Sequence, residues 1–230
     1  MEQYRTEEEQ VEALKRWWDE NGKATIAAIL LALVAGFGWQ GWQGFQQEQL
    51  ATASDSYQRL LQAMSTPETG EPDTAAAREI AGQIKKEYGG STYAQFAALH
   101  LARMAVNDAD LATAEAELRW VLAKADAGSD IAQITQLRLA RVLASSGDTT
   151  QALTLLDAGA DGDYAGAYAM ARGDVFMMQG DESQARAAYS EARVLAAADA
   201  TLPPLATLEQ KLQSLNPQAP EMTGTTADEG

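Results

Sequence analysis

The sequence predicts an all-α membrane protein: a single N-terminal transmembrane helix followed by an α-solenoid of repeated helix pairs. Three observations predict it. Ala24 to Phe45 is a run of 22 residues without a charge. Downstream, alanine-rich helix-favouring segments alternate with short Gly/Asp breaks, and no alternation of period two marks a strand. Three of those segments superpose as an internal repeat.

The uncharged run, ATIAAILLALVAGFGWQGWQGF, sets the organisation. At 1.5 Å per residue it spans roughly 33 Å as a helix, enough for a hydrocarbon core of about 30 Å. Trp39 and Trp42, beside Gln40 and Gln43, suit the headgroup zone. The residues before the run include seven acids, unlike the short basic start of a signal peptide. The small-residue triplet Ala51-Thr52-Ala53 falls beyond the apolar core, so the run reads as an uncleaved anchor. Arg5, Lys15, Arg16 and Lys23 precede it, whereas the first basic residue on the other side is Arg59. The positive-inside rule then leaves residues 1–23 in the cytoplasm and exports the chain from about residue 46. Within the span, Ala24, Ala28, Ala32 and Gly36 recur every four residues, a small-residue ridge suited to docking another transmembrane helix.

Residues 1–23 begin acidic and then place Val11, Leu14 and Trp18 on one helical face. That face fits either an interfacial helix or a docking helix for a cytoplasmic partner, and Asn21-Gly22 is expected to break it before the span. Residues 46–73 form a helical connector with an apolar stripe at Leu50, Tyr57, Leu60, Leu61 and Met64, ended by TPETGEPDT from Thr66. Helices are expected over 74–88, 91–106, 109–125, 130–146, 149–158, 164–179, 182–197 and 201–214. Residues 216–230 have the composition of a disordered acidic tail.

The exported part carries 26 acidic and 13 basic residues, a field that repels phosphates and excludes a nucleic-acid partner. Cysteine is absent, so there is neither a disulfide framework nor thiolate chemistry. The single histidine, His100, rules out a multi-histidine metal site within one chain. Asp157, Asp161 and Asp163 lack the ligand order of a calcium loop. No phosphate-binding glycine motif is present. Catalytic, cofactor and metal residues are therefore all expected to be none, and the protein is not expected to be an enzyme.

The repeats begin at Leu101, Leu139 and Ala171. Ala102, Ala140 and Gly173 share a small position, Ala105, Leu143 and Phe176 follow three residues later, and Ala109, Gly147 and Gly180 hold the turn. Ala114, Ala152 and Ala185 are the small site of each second helix; Leu118, Leu156 and Tyr189 plug each pair. This matches the tetratricopeptide pattern of small, large, turn glycine, small and aromatic at its usual offsets. Residues 74–215 thus form a tetratricopeptide-repeat-like α-solenoid, with the outermost helices covering its ends. The first helix of each repeat lines the inner face. That face should comprise Phe96, Leu99 and Arg103, then Ile134, Leu137 and Arg141, then Met170, Asp174 and Met177. Arg103 and Arg141 occupy equivalent positions and suit the carboxylate or backbone of a peptide, or else a salt bridge to a neighbouring helix.

With VEALKRWWDENGKA before one span, GWQGWQ at its exit, and LRLARVLASSGD and ARGDVFMMQGDESQARAAY in the repeats, the chain resembles the YfgM-type ancillary subunits of the SecYEG translocon. The likeness covers residues 8 to about 215 and has no catalytic motif to transfer. It implies a bacterial inner-membrane protein, single-pass, with a periplasmic repeat domain. It further implies association with SecYEG and with the membrane-anchored prolyl isomerase PpiD, and a role in passing exported polypeptide clients to periplasmic chaperones. It also implies an alternative, a tether whose cytoplasmic tail holds a stress-response regulator.

Overall fold

The computed structural model describes residues 7–65, 73–160, 162–196 and 205–215. Residues 1–6, 66–72, 161, 197–204 and 216–230 lie outside them, and with them the expected loop after Thr66, the start of the last helix and the acidic tail. The described residues form nine helices and no strand. The chain divides into two compact units, Met1–Ser54 and Asp55–Gly230.

The first unit is the greater part of α1 (Glu7–Met64). Contrary to the expected break at Asn21-Gly22, α1 runs through both residues without interruption. Gly costs a helix interior about 1 kcal/mol and Asn less, too little to break a 58-residue helix. The Asn21 side chain donates to Trp17 O at 3.1 Å, and Thr25 Oγ1 donates to Asn21 O at 3.0 Å. Gly22 also leaves room for the Trp18 indole, which would lie 3.2 Å from a Cβ there. Ile29, Leu30, Leu31, Val34 and Phe37 are all exposed, and no residue of the helix's apolar window is buried. A core helix of a soluble domain would hide these side chains; here they suit lipid. The Trp39 and Trp42 rings stack 5.4 Å apart at the end of that stretch. Ala24, Ala28, Ala32 and Gly36 are exposed along it.

The second unit is a run of antiparallel helix pairs. Its members are α2 (Thr74–Glu87), α3 (Thr92–Asn107), α4 (Leu111–Leu122), α5 (Asp130–Ser145), α6 (Thr149–Ala158), α7 (Ala165–Gln179), α8 (Glu182–Leu195) and α9 (Leu205–Ser214). The pairs α3–α4, α5–α6 and α7–α8 are the three repeats, and each is closed by the same device. Ala109, Gly147 and Gly180 adopt positive φ of 59°, 96° and 78°, the left-handed conformation that ends a helix. The residue after each donates its N–H five residues back: Asp110 to Ala105 O, Asp148 to Leu143 O and Asp181 to Phe176 O, at 2.8 to 2.9 Å. The same aspartates then cap the second helices, accepting from Thr113, Gln151 and Gln184 N–H at 3.0 Å. Ser91 and Ser129 cap α3 and α5 in the same manner.

The repeat register holds in the core. Ala102, Ala140, Ala114, Ala152 and Ala185 are buried, and so are the plugging residues Leu118, Leu156 and Tyr189. Small against large lets paired backbones approach and still fill the space between them. At one end, α2 and Leu60 of α1 bury Ala77, Ala81 and Ile84 against Ala94, Ala97 and Met104. At the other, Leu208 and Leu215 cover Ala169, Met170, Ala185, Tyr189 and Ala192. Solenoid ends need such covers, because each expose an apolar face otherwise.

Candidate functional site

Between α3 and α5, the first helices of the first two repeats, lies an open groove of about 300 Å³. Leu99, Val106 and Val142 give it apolar walls, and Arg103, Arg138 and Arg141 stand along it. A second hollow of about 280 Å³ shares Leu99, Arg103 and Arg138 with the first and extends it past Phe96, His100 and Ile134 to Tyr57. The two together make one trough with a basic middle.

Three guanidiniums converge here because α5 places Arg138 and Arg141 three residues apart on one face, and Arg103 faces them from α3. None of the three has a hydrogen bond or ion pair to a described residue. Several cations elsewhere are engaged: Arg78 with Asp108 at 2.6 Å, Lys85 with Glu117 at 2.6 Å, Arg172 with Glu191 at 2.6 Å. Arg141 does feel the charge of Asp174. That carboxylate, however, already takes Lys211 Nζ at 2.7 Å and accepts from the Tyr189 hydroxyl at 2.7 Å. Like charges crowd the cluster. Burial and then Arg141 and Arg103 hold the Arg138 guanidinium below its usual pKa. Burial, followed by Arg103 and Arg138, likewise depresses His100. His100 Nε2 lies 3.1 Å from the Tyr57 hydroxyl, and the two rings stack 5.9 Å apart. Such a surface attracts carboxylates, and guanidinium pairs bind them with fixed geometry.

The nine residues expected on the inner face do not form one surface. Phe96, Leu99, Arg103, Ile134 and Arg141 line the trough. Leu137 is instead 5% exposed and belongs to the core, packed with Ala102, Ala140 and Leu143. In the third repeat Met170 is 7% exposed beneath Leu208 and Leu215. Asp174 is consumed by Lys211 and Tyr189, and Met177 lies in a separate hollow with Met178 and Ser214. The cover that α9 provides therefore removes the third repeat from the face. Arg138, Tyr57, Val106 and Val142 were not anticipated. Arg138 was within reach, three residues before Arg141 in LRLAR; Tyr57 lies outside the repeats and only the fold brings it in. Neither salt-bridge partner expected of Arg103 and Arg141 is found among the described residues.

A family model described as a tetratricopeptide repeat-like domain matches residues 15–217. An ancillary SecYEG translocon subunit of Escherichia coli (strain K12) is 34% identical over 191 residues, 82% of this chain and 88% of that protein. The chain belongs to this family. Ancillary SecYEG translocon subunits of Haemophilus influenzae and Aggregatibacter actinomycetemcomitans are 31% and 30% identical, each over 187 residues, 81% of this chain and 88% of theirs. No solved structure gives a significant match. The family match begins upstream of the apolar stretch and runs through the last repeat. Membership and the exposed apolar length of α1 fit an inner-membrane protein of the ancillary translocon subunit family.

Proposed function

We propose that the protein is a non-enzymatic ancillary subunit of the SecYEG translocon, anchored by α1 with its N-terminus in the cytoplasm and its repeats in the periplasm. The repeats bind partner or client polypeptides and help pass exported chains to periplasmic chaperones, alongside a PpiD-type membrane-anchored prolyl isomerase. The observation that supports a peptide-binding role is the trough: apolar walls with Arg103, Arg138 and Arg141 beside them, none bonded to a carboxylate among the described residues. Apolar walls take side chains without chemical specificity, and guanidiniums hold carboxylates or backbone carbonyls. The ridge Ala24, Ala28, Ala32 and Gly36 is the proposed docking face for a translocon helix. The relatives' printed names support the translocon as partner.

Photocrosslinking tests this reading. Probes at Ala28 and Ala32 should capture a translocon subunit, and a probe at Ile134 should capture a polypeptide in export. Capture of neither by any probe would overturn it. A second reading, the signalling tether, has one observation in its favour. Val11, Leu14 and Trp18 are exposed on α1 before the span, an apolar stripe without a covering partner among the described residues. Deleting residues 2–20 separates the two, since translocon capture survives the deletion and retention of a cytoplasmic response regulator does not.

A further inference from the structure

We infer that the trough is built for an extended acidic peptide, one in which an aromatic side chain, a carboxylate and an aliphatic side chain follow one another at every second residue. This rests on the reading of the trough as a peptide-binding surface and names the class of peptide it takes.

The charge of the occupant follows from the lining. The chain carries a net charge of −16, yet neither hollow has an Asp or Glu among its lining residues. Arg103, Arg138 and Arg141 line them instead, all three exposed and within reach of a ligand. Three like charges side by side attract a carboxylate and repel a lysine-bearing chain. Asp174, the acid whose charge reaches Arg141, lies in a separate hollow and is bonded to Lys211 and Tyr189.

The order of the features follows from the helices. Residues 96–103 of α3 and 131–138 of α5 line one hollow, and residues 99–106 and 138–145 line the other, so the two helices run the same way along the trough. The first hollow is aromatic, with the Tyr57 and Phe96 rings 5.9 Å apart. The second is aliphatic, with Val106, Leu111 and Val142. Arg103 and Arg138 line both hollows and therefore stand between them.

The spacing selects an extended chain. At 1.5 Å per residue, Phe96 to Val106 covers roughly 15 Å and Ile134 to Val142 roughly 12 Å. An extended peptide advances about 3.3 Å per residue and turns every second side chain to the same side. Its residues i and i+4 therefore stand roughly 13 Å apart with i+2 midway, which matches two hollows and the arginines between them. Hollows of about 300 and 280 Å³ admit side chains, whereas a helix about 10–12 Å across would rest on their rims.

The test titrates fluorescein-labelled nonapeptides into the detergent-solubilised full chain and follows anisotropy at low salt. The first peptide has phenylalanine, glutamate and leucine at its third, fifth and seventh positions, with glycine or serine elsewhere. A second replaces the glutamate by glutamine, a third replaces it by lysine, and a fourth crowds the same three residues into adjacent positions. The glutamate peptide is expected to bind about tenfold more tightly than each of the others. Its advantage over the glutamine peptide should fade as salt rises, because the arginines are exposed. Arg103→Gln with Arg138→Gln should remove that advantage, with the melting transition checking that the variant folds; the peptide arms leave the protein unaltered. Burial and then the charges of Arg103 and Arg138 lower the pKa of His100, the only histidine. A carboxylate seated between those arginines should therefore raise the midpoint of its ring resonance titration, and the glutamine peptide should not.

Equal binding of the glutamate and glutamine peptides, or of the spaced and crowded ones, overturns the inference while the trough stands as a general apolar site. Binding that survives the arginine variant overturns it by placing the peptide elsewhere. So does self-association of the chain that the glutamate peptide reverses, which would make a second copy the occupant. Failure of every peptide to bind overturns the peptide-binding reading with it. Translocon capture by the span probes does not depend on the trough, so the anchor reading fails separately.

Discussion

A methyl group on Gly173 would lie 2.4 Å from Cε1 of Tyr189, whose ring is held in place by its hydroxyl bond to Asp174. The equivalent positions, Ala102 and Ala140, carry that methyl because Leu118 and Leu156 stand where the third repeat has Tyr189. The larger plug required the smaller seat. Gly173→Ala should therefore destabilise the domain by about 1–3 kcal/mol through overpacking. Adding Tyr189→Leu should recover part of the loss, a coupling that urea denaturation of the two single variants and the double variant measures. Both residues were legible from the repeat, since the offsets named them before any contact was known. The Tyr57–His100 pair was not, as nothing in the pattern links the end of the first helix to the middle of α3. Its consequence is a pH dependence. Burial, then Arg103 and Arg138, lowers the His100 pKa, so the folded state binds this proton less readily than the unfolded state. The contribution is complete above the unfolded value of about 6.5 and is lost as pH falls through the lower folded value. Melting temperatures taken from pH 7.5 to pH 5 should fall less in His100→Gln than in the parent chain.

Each repeat turns on two residues, a left-handed one and an aspartate, and the element scale is where this matters. Glycine adopts positive φ freely, whereas alanine in that conformation costs about 1–2 kcal/mol. Gly147 and Gly180 meet the requirement; Ala109, at φ 59°, meets it under strain. Ala109→Gly should stabilise the domain by up to about 1 kcal/mol, the gain reduced by the extra freedom of glycine in the unfolded chain. Gly147→Ala should destabilise it by about 1–2 kcal/mol. Chemical denaturation midpoints of the two variants should therefore move in opposite directions. The turn positions were readable because two of three are glycine, and the register supplied the third. The Asn21-Gly22 break was misread for a related reason. The same residue types end a helix only where the chain has another conformation to gain, and here the Asn21 and Thr25 side chains satisfy themselves on carbonyls four residues back without leaving the helix.

At the scale of the molecule, equivalence of sequence positions predicts where a side chain leaves its helix, not what covers it. Met170 and Asp174 hold the register of Leu99 and Arg103 in the first repeat, yet α9 buries the first and Lys211 takes the second. Anchor and solenoid were legible in the chain, while the confinement of the trough to two repeats depended on the cover at the end. The direction of the anchor rests on four basic residues before the span against none until Arg59. The absence of cysteine makes that direction directly measurable, because any thiol introduced is the sole one. Glu9 and Lys86 are exposed, so Glu9→Cys and Lys86→Cys place one label on each side of the span. In cells with a permeabilised outer membrane, an impermeant maleimide should modify Lys86→Cys and reach Glu9→Cys only after lysis. Neutralising Arg5, Lys15, Arg16 and Lys23 with glutamine, together with Gln46→Lys and Gln47→Lys, should shift labelling from the first site to the second, since the rule counts basic residues within about 15–20 residues of the span. Modification of Glu9→Cys in unlysed cells of the parent background would reverse the orientation and place the arginine trough on the cytoplasmic side.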